Sequence, residues 1–276
     1  MTFRICRADT LGVANRDFEG THHMHAGDIV LLLVAALAAG WVDAVVGGGG
    51  LLQLPVLILA GLSPVQALAT NKSAAIFGTA SAAVTYVRGT KLDKGVAVPA
   101  GALAVLFAGI GAASAALLDA SVLNPLVMVV LLGVAAFVTL RPAFGRTPQP
   151  HLRTRGRVVA GVAVAGVGIA FYDGILGPGT GTFLLIAFTS LLGMDFVNAS
   201  ATAKVINTGT NLGALIVFGV QGHVWWALGL SMAVCNIAGA QLGVRMALKR
   251  GAGFVRIVLL CVVVALVAKL GYGQFG

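Results

Sequence analysis

The chain has 276 residues, of which 58% are hydrophobic and only 10% charged, with a formal net charge of +9. Apolar runs of about 20 residues, the length that crosses a bilayer core, recur along it, and a soluble chain of this size could not bury them all. The basic residues stand mostly between these runs and not on one face, so the charge carries topology information and argues against a nucleic-acid-binding surface.

Residues 1–26 are polar, with Arg4, Arg7 and Arg16 balanced by Asp9, Asp17 and Glu19, and they lack the apolar core of a signal peptide. A disordered extension is expected there, with Met24, just ahead of the first apolar run, as the translation start. His22, His23 and His25 belong to this tail and are read as tail residues, not metal ligands. Cys6, Cys235 and Cys261 have no metal-ligand spacing, so neither a metal site, a cofactor nor a disulfide framework is expected.

Residues 27–141 are expected to form a first membrane repeat, with apolar segments at 28–46, 51–61, 65–87, 95–118 and 122–140. A basic linker, 142–157, separates it from a second repeat, 158–276, with segments at 158–176, 182–193, 197–220, 224–248 and 254–270. The second segment of each repeat is about 11 to 13 residues long, too short at 1.5 Å per residue to cross a core of about 30 Å. Both short segments follow a glycine cluster, as expected of broken or re-entrant helices whose opened backbone faces protein or a water-filled cavity. The fold class is therefore an all-α polytopic membrane protein.

Arg141, Arg146, Arg153, Arg155 and Arg157 place the linker in the cytoplasm. Counting outward from it puts Arg88, Lys91 and Lys94 inside with Lys249, Arg250 and Arg256, and the Gln221-Gly222-His223 turn outside. Both termini are then predicted outside. Five segments per repeat is an odd number, so the repeats should have inverted topology.

The chemistry-bearing residues recur once per repeat. Asp43, Gly47, Gly49 and Thr70-Asn71-Lys72 are echoed by Asp173, Gly177, Gly179 and Thr202-Ala203-Lys204. Lys72 and Lys204 each fall near the start of a long apolar segment, where a charge costs a few kcal/mol unless paired or hydrated. They are expected either to ligate an anion or to pair with Asp43 and Asp173 in buried ion pairs. Gly47, Gly48, Gly49 and Gly50, with Gly177, Gly179, Thr180 and Gly181, would aim backbone N–H groups and helix dipoles into the two breaks, which favours an anion, or would serve close helix packing. No Lys-Ser or Lys-Thr follows Gly177–Gly181 and no strand is expected before it, which argues against a phosphate loop there. Asn71, Thr202, Asn207 and Asn211 add neutral hydrogen-bonding groups. Asn71 is matched by Ala203 and Asn207 by Ala75, so a lopsided site is expected, with Lys204, Thr202 and Asn207 making the closer contact. Asp43 and Asp173 are the proton-coupling candidates.

The stretches Gly40-Trp41-Val42-Asp43-Ala44-Val45-Val46-Gly47-Gly48-Gly49-Gly50 and Tyr172-Asp173-Gly174-Ile175-Leu176-Gly177-Pro178-Gly179-Thr180-Gly181, with the repeated Thr-x-Lys, resemble the TauE/SafE family of membrane transporters. The resemblance covers nearly everything from Asp28 onward. It implies a non-enzymatic exporter of a small anion, sulfite or an organosulfonate, in the bacterial inner membrane, working by alternating access. The expected partners are the anion and membrane lipid, with homo-oligomerisation left open. Two rivals are an anion channel and an intramembrane aspartyl protease using Asp43 and Asp173. The protease lacks its Gly-x-Gly-Asp stretch here, and lysines beside both carboxylates would hold them ionised.

Overall fold

The computed structural model describes residues 26–90, 92–115 and 148–275, and within them every regular element is helical. The expected extension, the segment at 122–140 and Arg141 and Arg146 of the linker lie outside the described residues.

In chain order the helices are α1 (Ala26–Val46), α2 (Gly49–Leu59), α3 (Pro64–Gly89), α4 (Lys94–Ser114), α5 (Arg155–Ala163), α6 (Ala170–Ile175), α7 (Thr180–Leu192), α8 (Phe196–Val220) and α9 (Trp226–Phe275). A π turn over Val164–Ile169 joins α5 to α6, so the two run on as one rod. Local sequence sets the ends. Ser63 and Gln66 form a reciprocal capping box on α3, with Pro64 in the first turn, where its missing N–H costs nothing. Asp195 Oδ1 accepts the N–H groups of Val197 and Asn198 at the start of α8. Gly193, in the left-handed region at φ 64°, closes α7.

Five helical runs among the described residues are long and apolar enough to cross a membrane: α1 from Gly27, α4, the α5–α6 rod, α8, and α9 as far as Val258. With 26 residues, α3 is equally long, but Thr70, Asn71, Lys72 and Ser73 make it more polar. With 11 and 13 residues, α2 and α7 extend only about 17 and 20 Å and cannot cross a core of about 30 Å. The segments expected at 224–248 and 254–270 fall on α9, which is interrupted between them at Gly251, φ 72° and ψ −168°.

Packing is reciprocal between the halves. α1 lies along α9, while the α5–α6 rod lies along α4, so the first helix of each half packs on the fourth of the other. Likewise α3 packs on α9 and α8 on α4, and α3 and α8 touch each other at the centre. Small residues bring these backbones close: a Cβ added to Gly239 would overlap Leu37 O of α1, and one added to Gly213 would overlap Val105 O of α4. The buried core is correspondingly alanine-rich, with Ala100, Ala104 and Ala108 fully buried on one face of α4.

Candidate functional site

Breaking α1 after Val46 leaves the last carbonyls of the helix without intrahelical donors. The protein supplies them from elsewhere: Tyr86 Oη donates to Ala44 O at 3.0 Å, Ser200 Oγ to Val45 O at 3.1 Å and Thr182 Oγ1 to Val46 O at 2.8 Å. Buried hydroxyls of α3, α8 and α7 thus do what water does at a soluble helix end. The second break has its own tie, Tyr172 Oη donating to Pro178 O at 2.7 Å. The chain turns through Gly47 (φ 80°) in the first break and through Gly177 (φ 83°) and Gly179 (φ 80°) in the second, a region that strongly favours glycine.

The two breaks meet. Gly181 N donates to Gly47 O at 3.1 Å, and a Cβ on either glycine would overlap the other's Cα. The N-termini of α2 and α7 are therefore brought together with the positive ends of their dipoles.

Both lysines pair across the halves. Lys72 Nζ of α3 lies 2.6 Å from Asp173 Oδ2 of α6, and Lys204 Nζ of α8 lies 2.9 Å from Asp43 Oδ2 of α1. Of the two roles open to the lysines, the geometry realises the ion pairs, each joining one half's lysine to the other half's acid. The lysine side chains are only 2% and 1% exposed. Asp173 is also held by Thr180 Oγ1, 2.6 Å from Oδ1.

Between the breaks lies a cavity of about 30 Å³, lined by Asp43, Asp173, Lys72 and by Gly47, Gly49, Gly50, Gly177, Thr180 and Gly181 of the clusters. Asn71, Ala75, Asn207, Asn211, Gln53 and Asn236 complete its wall. That space holds about one water molecule. Buried polar groups normally find partners, yet Asn71 Oδ1, Asn207 Oδ1 and Gln53 Nε2 are buried and have none. Three amide atoms without a protein partner thus belong to residues that line one small polar cavity.

Other expected residues fall elsewhere. Thr70, Thr202, Gly48 and Gly179 do not line this cavity, and Lys204 reaches it only through Asp43. Thr70 Oγ1 accepts Trp225 N at 3.2 Å, and Thr202 Oγ1 donates to Asn198 O at 3.0 Å. Thr202 instead looks into a second cavity of about 210 Å³, among Asp93, Arg153, Met194 and Asn198. There Arg153 grips Asp93 with two hydrogen bonds, 2.7 and 3.0 Å, which keep the guanidinium charged even more firmly than usual. Gln53 and Asn236, which donates to Ala36 O, were not among the expected site residues. Each is an amide standing in an otherwise apolar helical stretch, the same signal that marks Asn207.

Among the described residues no group of three or more His, Cys, Asp and Glu is placed to hold a metal ion.

Comparison with known proteins agrees with this architecture. The family described as Sulfite exporter TauE/SafE matches residues 32–270. The chain is 36% identical over 242 residues to "Probable membrane transporter protein ORF9" of Sinorhizobium sp, covering 88% of this chain and 92% of that protein. It is 35% identical over 250 residues to "Probable membrane transporter protein YfcA" of Escherichia coli K12, covering 89% and 90%. A "Probable membrane transporter protein" of Haemophilus influenzae is 29% identical over 250 residues, covering 89% and 95%. No solved structure matches. With both full-length relatives and the family match extending over both glycine breaks and both lysines, the chain belongs to the TauE/SafE family of integral, multi-pass membrane transporters.

Proposed function

We propose that the protein is a secondary transporter that exports a small anion, sulfite or an organosulfonate, by alternating access around the cavity between the two broken helices. The observation that carries this is one polar cavity between two helix N-termini, with the Lys72 ammonium in its wall and the Lys204 ammonium behind Asp43. Helix N-termini and lysines are suited to anionic groups, and an arriving anion would compete with the carboxylates for the ammonium groups. Substrate binding would thereby loosen contacts that tie one half to the other. The sulfur-containing substrate class and the export direction rest on the family description.

The reciprocal helix packing and the crossed Lys–Asp pairs support two halves of inverted topology, which would rock about the central contact of α3 with α8. The binding groups would be Lys72, Lys204, Asn71, Asn207 and the backbone of Gly47–Gly50 and Gly177–Gly181, with Asp43 and Asp173 available for proton coupling. The basic linker would face the cytoplasm of a bacterial cell.

The test is exchange of labelled sulfite in proteoliposomes, wild type against Lys204→Ala, with unlabelled sulfate, thiosulfate, taurine, sulfoacetate and lactate as competitors. Saturable exchange that falls with Lys204→Ala and is competed by one anion class supports the proposal. Folded wild-type protein that exchanges none of these anions defeats it, and conductance far above carrier turnover makes the protein a channel.

A further inference from the structure

The two crossed ion pairs are equivalent in sequence but not in space. Asp173 is saturated: Lys72 Nζ holds Oδ2 at 2.6 Å, Thr180 Oγ1 holds Oδ1 at 2.6 Å, and the side chain is 5% exposed. Asp43 has one side-chain partner among the described residues, Lys204 at 2.9 Å, and is 18% exposed. The difference has a sequence origin. Thr180 stands seven residues after Asp173, and the residue seven after Asp43 is Gly50, which has no hydroxyl.

We infer that Lys72–Asp173 is a fixed clasp and that Lys204–Asp43 is the exchangeable pair, in which a proton arriving on Asp43 releases Lys204 to the substrate anion, so that one proton and one anion move together. This rests on the anion-transport reading above and names its coupling ion and carrier residue; because proton and anion move together, net export follows the anion's own outward gradient.

Charge balance leads to the same residue. With both pairs ionised, the two carboxylates and two ammonium groups sum to zero. An anion added to so enclosed a space would leave an uncompensated buried charge, which is costly. Protonating one carboxylate restores neutrality, and Asp43 is the one with fewer donors to displace and with water in reach to deliver the proton. The proton comes from water on the open side and goes to Asp43 Oδ2. Lys204 keeps its own proton, its contact with Asp43 breaks, and the freed ammonium turns to the anion. Return of the proton to water on the other side re-forms the pair as the anion leaves.

The surroundings of Asp43 supply what this exchange needs. Asn207, one turn beyond Lys204 on α8, lines the cavity with its Oδ1 buried and unpartnered, and Asn71 of α3 does the same opposite. Either amide can turn its NH₂ toward an anion. The charged groups facing Asp43 are Lys204 from α8 and, across the cavity, Lys72 from α3 with Asp173 from α6. From α3 comes also the Tyr86 hydroxyl, engaged with Ala44 O, while α2, α7 and α9 contribute neutral groups, Gln53, Thr180 and Asn236. No other Asp, Glu, His, Lys or Arg among the described residues lines this cavity.

The experiment uses purified full-length protein in proteoliposomes with labelled isethionate, a sulfonate that stays ionised across the working pH range, and labelled sulfite as a second probe. Wild type should accumulate isethionate about tenfold per unit of pH difference, the limit for one proton per monovalent anion. Asp43→Asn should exchange isethionate at a rate that no longer varies with pH, and its accumulation ratio should fall to one. Gly50→Thr, which gives Asp43 the hydroxyl that Asp173 already has, should shift the pH dependence of exchange to more acid values. A Cβ at Gly50 meets nothing closer than 3.6 Å, so this variant remains informative even where Asp43→Asn fails to fold. Gradient-driven accumulation surviving in folded Asp43→Asn overturns the inference, as does exchange lost equally with accumulation, or an unshifted pH profile in Gly50→Thr. If wild type exchanges both anions without proton movement, the inference falls and the transport reading stands. If wild type moves neither anion, both fall.

Discussion

Gly181 donates its backbone N–H to Gly47 O at 3.1 Å, joining two breaks that are 134 positions apart in the chain. The contact is a meeting of backbones: neither residue has room for a methyl group, and Gly47 also lies in the left-handed region at φ 80°. Gly47→Ala should therefore cost about 1–2 kcal/mol from the backbone conformation and about 1–3 kcal/mol more from overlap with Gly181. Thermal unfolding in detergent measures the loss. A variant as stable as wild type would mean that the breaks do not touch.

Lys72 and Asp173 form the more deeply buried of the two crossed pairs. Removing one partner of such a pair leaves an unpaired buried charge and should cost about 3–5 kcal/mol, whereas removing both leaves none. Lys72→Met is expected to lower the unfolding temperature more than Lys72→Met combined with Asp173→Asn. Additive losses in the double variant would show that the pair is not a coupled unit.

The Thr180 hydroxyl is the feature that distinguishes the two acids. Its hydrogen bond to the Asp173 carboxylate should contribute about 1.5–3 kcal/mol, the range for hydrogen bonds to charged groups. Thr180→Ser, which keeps the hydroxyl, should hold most of that stability, and Thr180→Ala should lose it. Comparable unfolding temperatures for the two variants would rule out the hydroxyl as the cause.

The described helical segments were legible in sequence because length and hydropathy follow from bilayer thickness, and the breaks because glycine clusters in apolar sequence have few other uses. The lysine and acid positions were legible for the same reason, as charges where charge is expensive. Partner choice was not: it depends on how the halves dock, and Lys72 lies 101 residues from the acid it meets. Nor was the displacement of Thr70 and Thr202 from the central cavity. At about 100° per residue, a position two residues before a lysine is turned about 200° around the helix, so the Thr-x-Lys repeat sends its two side chains to different faces. Asn207, three residues after Lys204, returns close to the lysine's face and does line the cavity.

That divergence also makes Thr70 and Thr202 reporters of which side is open. They hold matching places in the two repeats, but Thr70 is sealed by Trp225 N, whereas Thr202 faces the cavity of about 210 Å³ beside Arg153 and Asp93. On the alternating-access proposal, the linker side is the one nearer to opening. In a protein with Cys6, Cys235 and Cys261 replaced by serine, Thr202→Cys should react with a membrane-impermeant maleimide supplied to the linker side, and Thr70→Cys should stay protected from either side. Arg153, paired with Asp93 at the rim, is half exposed, so Arg153→Ala should change stability by less than about 1 kcal/mol while raising the labelling rate at Thr202→Cys. If substrate drives the halves to rock, saturating sulfite should slow labelling at Thr202→Cys and bring Thr70→Cys into reach from the opposite side. Two positions that label together, whatever the ligand, would indicate a continuous pore and would not fit alternating access.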